Sequence, residues 1–371
     1  MRGQPQAETL TGSPRPTGPS LLLATGDWQG GSALLPTYYS PVELPPMRDL
    51  VPIDRVWRRL ELVEDRLRQV TTSEDPFLTG IAQHLLANGK RYRPMLAQVA
   101  AEIGGGDGDQ PIEAGVAVEL IHLGSLYHDD VIDEADSRRG TVSVNANWTN
   151  TIAILAGDFL LARASEVAAP LGTEAVALLA RTYALLCEGQ VLELQLGGRL
   201  DLGPEGYFTV IEKKTASLIR TSARLGAIAG GATPEAVAAA TRWGYEVGMV
   251  FQLTDDVLDL TATEGFLGKP AGSDIREGTF TLPVLSALAS SDGPEIRRLL
   301  TGGKPYAEGA VERVIEIVRR GGHVDAALGE AQRRMDAATA AVAALPPSEV
   351  TRVFTRLGEY LVDRVAVARQ N

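Results

Sequence analysis

The stretch DRVWRRLELVEDRLRQV, residues 54–70, spaces Val56, Leu60, Val63, Leu67 and Val70 at steps of four and three. That is the apolar stripe of an amphipathic helix, and Pro52 with Asp54 stands where such a helix starts. The same period returns at the C-terminus, where Ser348 is placed to cap a helix with the stripe Val350, Phe354, Leu357, Leu361 and Val365. Between these ends, residues 112–133, 151–168, 173–199, 209–230, 234–260 and 309–344 are rich in Ala, Leu, Val and Glu, punctuated by Gly and Pro. No convincing period-two strand interrupts them. The chain from residue 47 to residue 371 therefore reads as all-α, a single large helical bundle.

The first 46 residues are different in kind. They hold eight of the 21 prolines among many Gly, Ser and Thr, which predicts a disordered extension, with Leu34-Leu35 and Tyr38-Tyr39 able to dock on the domain. The longest apolar run there, Leu21-Leu22-Leu23-Ala24, is too short to target or to span. A single cysteine, Cys187, allows no intrachain disulfide, so the expectation is a cytoplasmic protein held by core burial, with Cys187 itself a small buried apolar residue. The 35 Lys and Arg against 47 Asp and Glu give a net charge of −12, which argues against nucleic acid or an anionic membrane surface as partner.

The chemistry lies in one motif used twice. Asp129-Asp130-Val131-Ile132-Asp133 and Asp255-Asp256-Val257-Leu258-Asp259 share the spacing DDxxD. On a helix, positions i and i+4 share a face and i+1 stands beside them, so each copy gathers three carboxylates at one spot. Six carboxylates in apolar surroundings repel one another and raise one another's pKa, and a divalent cation relieves both effects. An all-oxygen donor set suits Mg²⁺, which takes one or two carboxylates together with substrate phosphates. Cations accompany the motifs: Lys90, Arg91 and Arg93 before Pro94, then Arg138-Arg139, and Lys213-Lys214-Thr215. Arginine forks and lysine point charges beside acidic motifs fit an anionic ligand.

Gly89-Lys90-Arg91-Tyr92-Arg93-Pro94, His122 seven positions before Asp129, the two aspartate motifs, Arg138-Arg139-Gly140, Lys214-Thr215, Phe251-Gln252-Leu253-Thr254 and Gly268-Lys269-Pro270 together resemble the trans-isoprenyl (polyprenyl) diphosphate synthase family. The match runs from about Ile53 to the C-terminus. The resemblance implies the isoprenoid synthase fold, a bundle around a deep apolar cavity, as a homodimer with about three Mg²⁺ at each mouth. By the same resemblance Asp129, Asp133 and Asp255 hold the metals, supported by Asp130, Asp256 and Asp259. They grip an allylic diphosphate with Arg138, Lys214 and Lys269. Lys90, Arg93, His122 and Arg139 hold isopentenyl diphosphate, and Thr215 and Gln252 line the cation's site. The implied alternatives are a shorter-chain synthase, a class I terpene cyclase of the same fold, and a non-catalytic subunit of a heteromeric synthase.

Product length follows from helix geometry. Ser125 and Gly124, four and five residues before Asp129, lie one turn back from the motif, with Ile121 a further turn down. A mid-helix glycine is disfavoured by roughly 1 kcal/mol against alanine, so Gly124 marks either room for a growing tail or close helix packing. By resemblance, small residues here predict a product longer than twenty carbons, handed on to membrane enzymes.

Overall fold

In the computed structural model, which describes residues 44–87, 89–263 and 270–370, the 54–70 stripe forms one helix with Val56, Leu60, Val63 and Leu67 buried. Lys269 and residues 1–43, including the leucines and tyrosines expected to dock, lie outside the described residues. The helices run α1 (Met47–Leu50), α2 (Asp54–Val70), α3 (Pro76–Ala82), α4 (Tyr92–Ala101), α5 (Gln110–Ile132), α6 (Val144–Asn147), α7 (Asn150–Ala168) and α8 (Thr173–Leu196). They continue through α9 (Pro204–Ile211), α10 (Ser217–Ala229), α11 (Pro234–Thr261), α12 (Ser273–Glu277), α13 (Leu282–Leu288), α14 (Gly293–Leu300), α15 (Ala310–Arg320), α16 (His323–Ala343) and α17 (Glu349–Gln370). The Ser348 hydroxyl accepts the Thr351 N–H at 3.2 Å, as a cap for α17 should.

Three departures from the sequence reading have local causes. The 309–344 stretch is two helices, because Gly321-Gly322 intervenes and Gly322 takes a left-handed φ of 74° that ends the helical run. A two-residue hairpin, β1 (Ser137–Arg138) with β2 (Thr141–Val142), sits between α5 and α6, turned by Arg139 and Gly140 at positive φ. Residues 212–216, between α9 and α10, widen into a π-helical turn.

α5 is apolar nearly all round and is buried accordingly, with Ala114 through Ile121 all inside. It packs with α7 and α8 in one hydrophobic cluster; a second, of residues from α2, α4, α10, α11, α16 and α17, centres on Trp243 and Phe354, whose rings meet edge-on at 4.3 Å. α8 carries two stripes. Ala175, Leu179, Thr182, Leu186 and Gln190 face inward, while Cys187, Val191 and Leu194 face solvent. Cys187 is thus exposed, contrary to expectation, because it falls on the outward stripe. Val191 and Leu194 of this stripe, and Ile154 and Leu155 of α7, are large apolar side chains between 44% and 62% exposed.

α10 comes closest to α4 at Gly226, where a Cβ would stand 2.1 Å from the Ala97 carbonyl oxygen. Backbone cannot give way as a side-chain tip can. Gly226→Ala is expected to lower unfolding stability by about 3 kcal/mol, measured by urea denaturation; an unchanged midpoint would show that the two helices are not locked at this contact.

Candidate active site

Both aspartate motifs occupy the last turns of long buried helices. Asp129 and Asp130 end α5, and Asp133 is its C-cap, its N–H on the Asp129 carbonyl at 2.8 Å. Burial pushes the Asp129 carboxyl up to about 6; Lys214 opposes this and Asp133 adds to it. Asp130 turns the other way. It is fully buried, Oδ1 accepts from Arg138 Nε at 2.6 Å, and Oδ2 has no partner. Arg138, assigned from sequence to the diphosphate, therefore stands on a carboxylate of the first motif.

On α11, Asp256 is buried and accepts from Tyr207 Oη at 2.6 Å and from Gln252 Nε2 at 2.7 Å. Burial first, then Asp274, push its carboxyl well above the usual range. Asp259 accepts the Asp274 N–H at 3.3 Å, and Asp255 accepts from Arg364 of α17 at 3.2 Å.

The π turn at 212–216 ties the two motifs together, a role such turns often have at functional sites. Lys214, paired with Glu193 of α8, is the strongest charge easing Asp129. The next residue, Thr215, donates to Gln252 Oε1 at 2.7 Å, so a chain of bonds runs from the π turn through Gln252 to Asp256.

Beside the carboxylates lies a cationic cluster centred on His122. Arg93 Nη1 and Arg139 Nη2 both point at His122 Nε2, at 3.2 and 3.0 Å. Guanidinium can only donate, so Nε2 accepts and the ring proton sits on Nδ1. Burial, then Arg93 and Arg139, hold this imidazole well below its ordinary range, so it is neutral at pH 7. Arg93 Nε is buried and has no hydrogen-bond partner among the described residues. Lys90 is exposed.

The frame of this cluster escaped the sequence reading. Arg91, at a left-handed φ of 50°, sends a buried guanidinium to Glu64 of α2, to Glu119 of α5 at 3.0 Å and to the Leu86 carbonyl at 2.5 Å. A Cβ at Gly89 would overlap the Arg91 guanidinium, which would have to shift to admit one. Burial lowers the pKa of both Arg93 and Arg139, and Glu119 is the largest charge opposing it. A charge in the apolar run Val116-Ala117-Val118-Glu119-Leu120, one turn from His122, was the available signal. Tyr207, Glu193 and Arg364 left none.

Gly124 faces α7, where its Cβ would stand 3.0 Å from Leu161 Cγ and 3.1 Å from the Gly157 carbonyl oxygen. Close helix packing, not open space, is what this glycine serves, which corrects its assignment to the tail. Ser125 shares the Asp129 face and satisfies its hydroxyl on the His122 carbonyl at 2.9 Å; Ile121, one turn down, is buried. His128 is held between Tyr183 Oη and the Ile154 carbonyl, and His84 bonds the Val142 carbonyl, both structural contacts.

Among the described residues no three His, Cys, Asp or Glu side chains close round one point. The donor set still fits a divalent hard cation: carboxylate oxygens on two helix ends, one with its pKa raised by desolvation, suit an ion that shares its coordination with water and phosphate. Asp129, Asp133 and Asp255 are the carboxylates that could hold such an ion.

The family signature described as polyprenyl synthetase matches residues 75–318. The chain is 40% identical over 309 residues to heptaprenyl diphosphate synthase component 2 of Geobacillus stearothermophilus, covering 82% of this chain and 95% of that one. It is 39% identical over 308 residues to nonaprenyl diphosphate synthase of Mycobacterium tuberculosis, covering 82% and 90%. Its fold superposes with a TM-score of 0.75 on geranylgeranyl pyrophosphate synthase from Corynebacterium glutamicum, solved with calcium and isoprenyl diphosphate, at 41% identity over 87% of this chain and 99% of that one.

Two outcomes follow from the site. Protonating Asp129 removes a metal ligand, so Mg²⁺ affinity should weaken about tenfold between pH 7 and pH 5, across the value of about 6, in calorimetric titrations. A flat profile would remove Asp129 from the metal site. Arg91→Met strands the Glu64 and Glu119 carboxylates and should lower stability by roughly 3–5 kcal/mol in chemical denaturation.

Proposed function

The chain belongs to the polyprenyl synthetase family, and on that premise we propose that it condenses isopentenyl diphosphate with an allylic diphosphate to build an all-trans polyprenyl diphosphate longer than twenty carbons. Transfer of prenyl groups is the activity in the names of its relatives. The observation that carries the reading is the pairing of two unlike anion sites: the carboxylates beside Lys214, and the arginine cluster around His122 with an unsatisfied Arg93 Nε.

Each site has its part. Bound Mg²⁺, about three ions by resemblance, supplies the positive charge that draws diphosphate from the allylic carbon. Lys214, held by Glu193, adds a fixed charge beside the leaving oxygen. Lys90, Arg93, His122 and Arg139 hold the second diphosphate so that its double bond meets the allylic carbon, a positioning effect. Thr215 and Gln252 offer oxygen dipoles that ease a cation without trapping it. Asp130 and Asp256, both buried and held by neighbours, orient the carboxylates next to them. A class I terpene cyclase has no use for the second anion site.

The long product is supported by heptaprenyl and nonaprenyl synthases at 39–40% identity and by the small residue at Ser125. A twenty-carbon product is the second reading, favoured by the geranylgeranyl synthase at 41%. A second copy of this chain is the proposed partner, because α7 and α8 leave Ile154, Leu155, Val191 and Leu194 outside the core. The relative named component 2 makes a different subunit the competing partner. The proposed compartment is the cytoplasm, with the product passed to membrane enzymes.

Purified protein given Mg²⁺, farnesyl diphosphate and labelled isopentenyl diphosphate should release products longer than twenty carbons by mass spectrometry. Absence of label would end this assignment, whereas products stopping at twenty carbons would end only the length. Ser125→Phe should shorten them with turnover retained. Asp129→Asn should lower kcat about a thousandfold or more without lowering the metal-free melting point.

A further inference from the structure

The hairpin that carries Arg138 and Arg139 is two residue pairs long, Ser137 with Val142 and Arg138 with Thr141. So short a ribbon is marginal in water by itself, and its place is set by what it is tied to. Arg138 bonds Asp130 and Arg139 bonds His122, both on α5. From outside the hairpin, His84 reaches β2: its Nε2 stands 2.7 Å from the Val142 carbonyl oxygen. A carbonyl can only accept, so Nε2 carries the ring proton and donates. The same ring meets Trp148 edge-on at 5.1 Å, and Trp148 meets Phe77 of α3 edge-on at 6.5 Å. Val142 and Trp148 bracket the chain that leads from the hairpin to α7, so one side chain grips that stretch at both ends.

His84 is itself fixed to α5. It lies in the turn after α3, where the Ile81 carbonyl accepts from the His84 N–H at 3.0 Å and from the buried Tyr127 hydroxyl at 2.7 Å. The carbonyls next along, Leu85 and Leu86, accept from Arg139 at 3.5 Å and from Arg91 at 2.5 Å. One turn of chain thus meets Arg91, Arg139 and, through His84, the strand that follows Arg139. Resting on the function proposed above, we propose that His84 is a positioning residue for the isopentenyl diphosphate site. Its bond to Val142 fixes the hairpin against α5, and this sets where the Arg139 guanidinium stands beside His122. A diphosphate that draws Arg139 to itself loosens the His122 contact. The Val142 bond involves neither arginine, so it keeps the hairpin in place while Arg139 changes partner by side-chain rotation. The site then binds without first having to order a loop, which is how preorganisation strengthens binding.

The test uses the full chain with three variants. His84→Leu removes the donor and keeps apolar bulk, His84→Gln returns an amide N–H near the Nε2 position, and His84→Asn is too short to reach it. In turnover, His84→Leu should raise the KM for isopentenyl diphosphate about fivefold, with a smaller change in kcat and in the allylic KM. His84→Gln should recover most of that affinity and His84→Asn little of it, a difference that loss of stability alone does not produce. Inorganic diphosphate titrated without metal should weaken in parallel, again about fivefold for His84→Leu. Melting curves identify a leucine variant that fails to fold, and the glutamine and asparagine pair then reads the same distinction. An isopentenyl diphosphate KM within twofold of wild type in a folded His84→Leu, or glutamine and asparagine variants that behave alike, overturns the proposal. Wild-type protein that incorporates no label overturns the function instead, and the diphosphate titration still reads the role of His84.

Discussion

Glu119 lies buried in the most apolar helix of the chain, its carboxylate on Arg91 and its field on Arg93 and Arg139. Without that counter-charge, three guanidiniums could not be gathered around a neutral imidazole inside a bundle, since each loses hydration on burial. Arg91 completes the arrangement by joining α2, α5 and the Leu86 carbonyl, which sets the start of α4 and hence the position of Arg93. The cationic half of the site is consequently stiff before any ligand arrives, and it leaves one donor, Arg93 Nε, unspent.

The acidic half follows the opposite logic. Asp129 of the first motif is raised in pKa by burial, and the inner aspartates, Asp130 and Asp256, are tied to Arg138, Gln252 and Tyr207. Pinning the inner carboxylates fixes the helix ends, while Asp129 keeps a repulsion from Asp133 that a cation would relieve. Folding thus stores, at the mouth of the bundle, an electrostatic demand that binding satisfies. The net charge of −12, which by itself speaks against an anionic ligand, is in part the means of holding one.

Between the halves stand the π turn and the C-terminal helix. Lys214 and Thr215 link the first motif to the second through Glu193 and Gln252, and Arg364 ties the C-terminal helix to the second motif at Asp255. These contacts come from segments far apart in the chain, so the geometry at the mouth reports on the packing of most of the molecule.

Periodicity and spacing carried the all-α class, the helices and the placing of both aspartate motifs at helix ends, because these depend on neighbours three and four residues away, which the sequence displays directly; the carboxylates of each motif do not converge on one point as the spacing implied, since Asp130 and Asp256 turn to Arg138 and Tyr207. His122 meets Arg93 and Arg139, three positions the motif order had grouped. What tertiary structure alone decided was direction and partner. Gly124 turns to α7 instead of the tail, Arg138 rests on Asp130, and Cys187 turns to solvent instead of the core. Rotation of a helix about its axis, and the identity of what packs against it, are set by burial summed over many distant contacts, and no local pattern encodes that sum.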